Sequence, residues 1–389
     1  MSGDATLARA LDLTAKLVSF DTESSRSNLA LIDFVEDYLR PFGLPVARVP
    51  NAGGDKAALC VTVGPMRDGG IVLSGHTDVV PVAGQSWTSD PFTLRRDGTR
   101  LYGRGTCDMK GFGATALAMV PEFMQAGMTA PVHIVLSYDE ETTCLGSRDV
   151  IARFGKDLPM PRATIVGEPT NMQVADAHKS IATYFTKVTG FEAHSAKPAL
   201  GAHAIATGCE LVHHLTLLND AYERDGDPSG RFDPAYSTVH VGTIHGGTAR
   251  NILAKECAFH WEFRGLPGVS QQDAIRRFEE YAARTALPRL TRFTQQAGIE
   301  TQVEVEVPGL MAQAGSAAET LALKLTRSNR TIAVSYATEA GHFQQAGIPT
   351  VVCGPGSIDQ AHQPDEYIEE GEIAACIGFM RRLAGELGG

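Results

Sequence analysis

The chain has 389 residues, which is long for one hydrophobic core, so two domains are the default expectation. Apolar residues make up 43% of it and charged residues 20%, an ordinary balance for a globular protein. The formal net charge of −11, without any Lys/Arg run, argues against a nucleic-acid or anionic-membrane partner, because phosphate binding needs clusters of basic side chains.

The most apolar stretches, such as 132–138, are far shorter than the roughly 20 residues of a spanning helix, so no membrane segment is expected. The first residues lack a basic start, and Arg9, Asp12 and Lys16 interrupt their apolar run, unlike a signal peptide. Cys60, Cys107, Cys144, Cys209, Cys257, Cys353 and Cys376 are odd in number and dispersed. Reduced thiols in a cytoplasmic protein fit that usage better than a disulfide framework.

In chain order, two amphipathic helices come first. Leu7, Ala10, Leu11, Leu17 and Val18 share one helical stripe, and Leu31, Phe34, Val35, Tyr38 and Leu39 share another. Pro41 and Gly43 stop the second helix. Short β-branched runs at 58–63, 71–73, 132–136, 163–166 and 350–353 read as strands, with helical stretches between them, notably 111–125. Strands alternating with helices imply an α/β sheet covered on both faces. From about Lys179 the pattern changes to strand 181–189, helix 202–218, strands 237–244 and 257–263, helix 271–284 and strand 301–307. That order is a ferredoxin-like α+β unit. The expected organisation is a catalytic α/β domain at 1–178 and 309–389, with 179–308 inserted. The Asp-, Gly- and Pro-rich stretch 219–234 reads as an exposed loop.

Five candidate metal ligands stand at or near the ends of expected strands. His76 follows Ile71-Val72-Leu73-Ser74-Gly75, Glu141 follows the strand ending at Tyr138, and Glu168 follows Ile165-Val166-Gly167. Asp108 precedes a helix, and His362 follows the strand at 350–353. Ligands of open α/β sheets gather outside the carboxyl ends of the strands. Two imidazoles and three carboxylates are too many for one tetrahedral zinc with an open position. They suit two ions sharing a carboxylate, the arrangement that clamps an attacking water in two-metal hydrolases. The expected assignment is Asp108 as the bridge, His76 and Glu168 on one ion, and Glu141 and His362 on the other. Ligands of nitrogen and oxygen without sulfur fit Zn²⁺, Co²⁺ or Mn²⁺. Glu140, next to Glu141, is placed to take a proton from the water and return it to the leaving amine. Asp78 is placed to hydrogen-bond the second nitrogen of His76.

Each residue alone has a plainer reading. His76 could be a hydrogen-bonded loop histidine, Asp108 a helix cap and Glu140-Glu141 a solvated turn. Only the five together at strand ends carry the metal assignment.

At these residues the chain resembles the M20 metallopeptidase family along its whole length. The motifs are Ser74-Gly75-His76-Thr77-Asp78-Val79-Val80-Pro81, Gly103-Arg104-Gly105-Thr106-Cys107-Asp108-Met109-Lys110-Gly111, Asp139-Glu140-Glu141, Gly167-Glu168-Pro169-Thr170 and Ala361-His362-Gln363-Pro364-Asp365-Glu366. The resemblance implies a mixed-sheet di-metal hydrolase domain with helices on both faces, an inserted domain that is a dimerising lid, and two divalent ions, Zn²⁺ or Co²⁺. It implies that Glu140 is the general acid/base. His194 matches a histidine that reaches the partner subunit's site, Asn251 a substrate-binding asparagine and Arg264 an arginine that pairs with a substrate carboxylate. His342 stands where an apolar residue is commoner, and Glu339 is a candidate for attracting a cationic substrate side chain. A strained, cis peptide is expected after Asp108. The implied reaction is hydrolysis of N2-acetyl-L-ornithine to acetate and L-ornithine, in arginine biosynthesis. Related acyl-amino-acid hydrolases (succinyl-diaminopimelate desuccinylase, acetylcitrulline deacetylase, aminoacylase) are the alternatives, and a catalytically silent binding protein on the same fold is the remotest.

Overall fold

The computed structural model describes residues 4–292 and 294–388. Among the described residues there are fifteen strands in chain order. They are β1 Val46–Pro50, β2 Ala57–Val63, β3 Gly70–His76, β4 Arg95–Asp97, β5 Arg100–Tyr102, β6 Val132–Ser137, β7 Pro161–Pro169 and β8 Ala175–His178, then β9 Ile181–Thr189, β10 Thr238–Gly246, β11 Glu256–Arg264, β12 Gly298–Val307, β13 Ile332–Val334, β14 Thr350–Gly354 and β15 Tyr367–Glu369. The chain divides into two compact units, 1–177 with 310–332 and 338–389, and 178–309 with 333–337. The short piece 333–337, placed by the sequence in the catalytic part, therefore groups with the second unit.

The first unit is built on a mixed sheet whose strands follow in the order β1-β2-β6-β3-β7-β14-β8. β6, β3, β7 and β14 run parallel, and β1, β2 and β8 join antiparallel. Every residue of β2, β3 and β6 is buried, as strands covered on both faces must be. Alternate residues divide between the faces. Leu59, Val61, Ile71, Leu73, Ile134 and Leu136 join one core with the helices Ala5–Val18, Leu29–Leu39, Lys110–Ala118 and Glu370–Leu387. The intervening Thr62 and His133 bond each other on the opposite face (Oγ1···Nδ1 2.9 Å), where Phe154 meets the His133 ring edge-on. Burial lowers His133 to about 4, so it sits in the sheet as a neutral ring. β15, β5 and β4 form a small separate sheet.

The expected helix 111–125 is two helices, Lys110–Ala118 and Val120–Gln125, meeting at Met119. Pro121 has no N–H to offer Leu117, whose carbonyl accepts instead from the Tyr38 hydroxyl at 3.3 Å.

The second unit is a four-stranded antiparallel sheet of order β10-β11-β9-β12, with helices Ala204–Asp225 and Gln271–Tyr281 packed on one face. Its core centres on Trp261, stacked on Tyr184 at 4.1 Å, with its Nε1 donating to Thr186 Oγ1 at 3.0 Å. Strand, helix, two strands, helix, strand is the ferredoxin-like order. The stretch 219–234 is not all loop. Leu211, Leu215, Leu218 and Tyr222 continue one buried helical stripe, so the helix runs on to Asp225 before Gly226 ends it at φ 64°. The helix expected at 271–284 widens at its end. It passes into a π-turn at Ala282–Ala286 just before Pro288. Among the described residues no helix is long and apolar enough to cross a membrane.

Candidate metal centre

The first unit brings all five expected ligands to one place. His76 ends β3, Glu168 lies near the end of β7, and Glu141 follows β6 through a turn. Asp108 sits between β5 and the helix Lys110–Ala118, and its peptide to Met109 is cis. His362 lies on the loop between β14 and β15 with a left-handed backbone, φ 63°.

Ligand atoms of His76, Asp108 and Glu168 lie within 4.8 Å of one another, as do those of Asp108, Glu141 and His362. His76 Nε2 is 3.0 Å from Asp108 Oδ1 and 3.7 Å from Glu168 Oε1. His362 Nε2 is 3.2 Å from Asp108 Oδ2 and 3.0 Å from Glu141 Oε2. Asp108 thus faces one imidazole with each oxygen and belongs to both groups.

The electrostatics of this cluster call for cations. Burial pushes Glu140 and Glu168 well above the usual carboxylate range, and neighbouring acids push further. Glu141 rises to about 7 through burial and the charge of Asp108. Burial would raise Asp108 too, but hydrogen bonds from His362 and His76 outweigh it and hold it below the usual range. His362 rises to about 10 through its bonds to Asp108 and Glu141. Glu141 Oε1 and Glu168 Oε1 are buried without any hydrogen-bond partner. Orphaned carboxylate oxygens in so acidic a pocket are an unfavourable arrangement for the bare protein and a favourable one for metal ions. The donor set of imidazole nitrogens and carboxylate oxygens fits a pair of divalent ions sharing Asp108.

Around the ligands the structure differs from the expectation in two details. His76 Nδ1 pairs with the main-chain carbonyl of Asp78 at 2.9 Å, and its carboxylate is farther, at 3.6 Å. That carboxylate instead accepts the backbone N–H groups of Glu140 and Glu141, at 3.1 and 3.2 Å, and the Ser24 hydroxyl at 2.7 Å. Asp78 therefore ties the end of β3 to the turn bearing both glutamates. Glu339 is not available to a substrate side chain. It is 1% exposed, and its two oxygens accept from Ser74 Oγ at 2.5 Å and Ser137 Oγ at 2.7 Å. Both serines point to the same face of the sheet, so the buried carboxylate joins β3 to β6 from beneath. His342, one helical turn on, is lowered to about 4 by burial and is neutral.

The sequence reading missed Lys56. It forms a nearly buried ion pair with Asp139, and its ammonium also donates to the Ser24 carbonyl. Asp139 has φ 56°, and its carbonyl accepts from Thr143 and Cys144, so this pair anchors the turn of Glu140 and Glu141. The sequence signal for this turn was the residue type at 139, since Asp tolerates a left-handed backbone better than most.

His194, Asn251 and Arg264 belong to the second unit. His194 and Asn251 are exposed on adjoining loops, joined by the Ser195 N–H to the Asn251 carbonyl at 3.0 Å. Arg264 ends β11, and its Nε donates to Glu262 at 3.0 Å.

Residues 72–386 match the family described as Peptidase family M20/M25/M40. An acetylornithine deacetylase of Proteus mirabilis (strain HI4320) is 36% identical over 384 residues, covering 98% of this chain and 95% of that protein. Among solved structures, a tripeptidase from Staphylococcus aureus superposes with a TM-score of 0.76 at 17% identity over 98% of both chains. A dinuclear metal-binding peptidase of the M20 family from Bacillus subtilis superposes with a TM-score of 0.67 at 16% identity, also over 98% of both. The site at the strand ends, the two-unit fold and these likenesses agree, and the chain belongs to peptidase family M20.

Proposed function

We propose that this chain is a two-metal amide hydrolase that converts N2-acetyl-L-ornithine to acetate and L-ornithine. The observation that carries the substrate is the likeness, over nearly the whole of both chains, to a protein named acetylornithine deacetylase. The observation that carries the chemistry is Asp108 shared between two ligand groups.

In this reading His76, Asp108 and Glu168 hold one ion, and Asp108, Glu141 and His362 the other, with Zn²⁺ or Co²⁺ the best fit. Bound there, the ions supply Lewis acidity toward the acyl carbonyl and a water that deprotonates near neutral pH. The protein's own residues do the rest. Glu140 takes the proton from the attacking water on its carboxylate and delivers it to the nitrogen as the amide C–N bond breaks. Its burial raises its proton affinity toward the range that suits a general base. Asp78 and the Lys56–Asp139 pair hold the Glu140 turn in place. His194 of a partner subunit donates to the developing oxyanion. Asn251 and Arg264 bind the substrate's α-carboxylate, which suits the planar fork of an arginine. Segments 1–178 and 309–389 form the catalytic domain, and 179–308 the dimerising domain, in a cytoplasmic homodimer.

The test is a comparison of kcat/KM for N2-acetyl-L-ornithine, acetylcitrulline and succinyl-diaminopimelate on purified protein. The proposal expects the first to be preferred. A preference for the succinylated substrate would replace the substrate assignment and leave the hydrolase reading intact.

A further inference from the structure

The sequence singled out Arg104 and Glu366 only as members of motifs, and the proposed chemistry gives neither a task. Their side chains are 1% and 0% exposed and form an ion pair, Arg104 Nη1 to Glu366 Oε2, at 2.8 Å. A buried ion pair persists where its remaining hydrogen-bonding capacity is also met. Here most of that capacity is met on the way to the metal ligands, and Arg104 Nε alone of the pair is buried without a hydrogen-bond partner. Glu366 Oε1 accepts the backbone N–H groups of Cys107 and Asp108, at 2.8 and 3.1 Å. Arg104 Nη2 donates to Gln85 Oε1 at 2.6 Å, and Gln85 Nε2 donates to the His362 carbonyl at 2.8 Å. Trp87 Nε1 donates to the same Gln85 oxygen at 3.0 Å.

The topology explains how these groups meet. Tyr102 of β5 pairs with Tyr367 of β15, and Gly103 N–H donates to the Glu366 carbonyl at 2.9 Å. The small sheet therefore delivers both charges side by side, just before the chain runs on to Asp108 and just after it leaves His362. The His362 loop needs such support. His362 and Asp365 both hold left-handed backbones, φ 63° and 55°, which residues other than glycine keep only when their surroundings impose them. Asp365 Oδ1 is held by the backbone N–H and hydroxyl of Thr88, at 3.0 and 2.9 Å.

We propose that Glu366, Arg104 and Gln85 are positioning residues that lock the shared ligand Asp108 to the loop ligand His362, so that the ion between Asp108, Glu141 and His362 finds its ligands already placed. This rests on the two-ion reading above. The parts of the brace act unequally. Glu366 touches the backbone of Asp108, which both ions share. Gln85 reaches only the His362 side. An amide cannot replace the Glu366 carboxylate. Whichever way it turns, its NH₂ faces either the two backbone N–H groups or the Arg104 guanidinium.

The test uses full-length protein stripped with a chelator and titrated with Co²⁺, following both heat and the visible absorption of the bound ion. Wild type takes up two ions. Gln85→Ala weakens one binding step by about 10-fold or more and leaves the other nearly unchanged, the size expected when a group that orients a ligand is removed. Its metal-free melting temperature stays that of wild type, and the absorption of one Co²⁺ changes. Glu366→Gln weakens both steps; should it fail to fold, Gln85→Ala decides alone. Wild-type binding constants and absorption in Gln85→Ala would overturn the brace. So would a loss of affinity that merely tracks a lower metal-free melting temperature. Fewer than two ions on the wild type would instead overturn the two-ion reading itself.

Discussion

The two halves of the metal centre are built differently. His76, Asp108 and Glu168 are 2%, 5% and 3% exposed, and two of them stand on central parallel strands. The side chain of His362 is 50% exposed, on a loop, and its partner Glu141 follows a turn. The deep half inherits its geometry from the sheet, whose ladders cannot shift without breaking the core. The shallow half depends on local devices: the Asp78 carboxylate and Lys56–Asp139 beneath the Glu141 turn, and the Arg104–Glu366 pair beside His362. Rigid elements hold a ligand by default, and a loop holds one only where hydrogen bonds oblige it.

The largest effect should come from the residue common to both halves. Asp108→Asn is expected to lose both ions and turnover together, measured by metal analysis beside activity; retention of two ions would break the shared-ligand picture. Next comes the group that belongs to neither ion. Glu140→Ala should leave metal content unchanged and lower kcat by about 10²–10⁴-fold, the range for a lost general acid/base. Substantial activity in that variant removes Glu140 from its role.

The contrast of depth predicts the order in which ions leave. Under limiting chelator one ion should dissociate well before the other, and His362→Ala should bind only one ion from the start. Simultaneous release in wild type would show that the halves are equally secure. A pH series sharpens the same point. In the metal-free fold Glu141 is raised from 4.5 to about 7, so it keeps a proton that the unfolded chain has already released. Stability from this group is lost as pH rises across that window. His362, raised from 6.5 to about 10, contributes stability that is complete below 6.5 and lost as pH climbs to 10. Lys110, lowered to about 7, and His133 and His342, lowered to about 4, act in the opposite sense, so the check is a difference: the melting-temperature advantage of metal-free wild type over metal-free His362→Ala should shrink from about pH 6.5 to pH 10 by calorimetry. Metal-loaded protein should show a flatter profile, because the ions take the place of those protons. The smallest effect is expected beneath the deep half. Glu339→Gln should cost about 1 kcal/mol of stability from one altered buried hydrogen bond, with KM unchanged. A large rise in KM would return Glu339 to the substrate.

His76, Glu141 and Glu168 were legible in the sequence because each follows an apolar strand, and Asp108 and His362 because they lie in motifs that the chain shares with its family. The ferredoxin-like order was legible for a similar reason. Alternation in β9 and β11 matches a sheet with one face buried. What the sequence hid were partnerships between distant residues. Asp78 was expected to use its carboxylate on His76, but the strand end turns the carbonyl there and leaves the carboxylate for the Glu140 turn. Glu339 read as a candidate for a cationic substrate side chain, because nothing local shows that Ser74 and Ser137, over two hundred residues away, lie directly against it. The helix break at Met119 and the helical run to Asp225 turned on Pro121 and on a buried stripe ending in Tyr222, both readable in principle from spacing.

By itself the sequence determined which side chains could hold metal, which runs could be strands and which family the chain resembles, since residue type, period and motif are properties of neighbours along the chain. Only the tertiary structure decided that Asp108 faces both imidazoles, that Glu339 is sealed under the sheet and that Arg104 and Glu366 meet between β5 and β15. Those depend on strand order and register, which are settled by burying the whole apolar set at once.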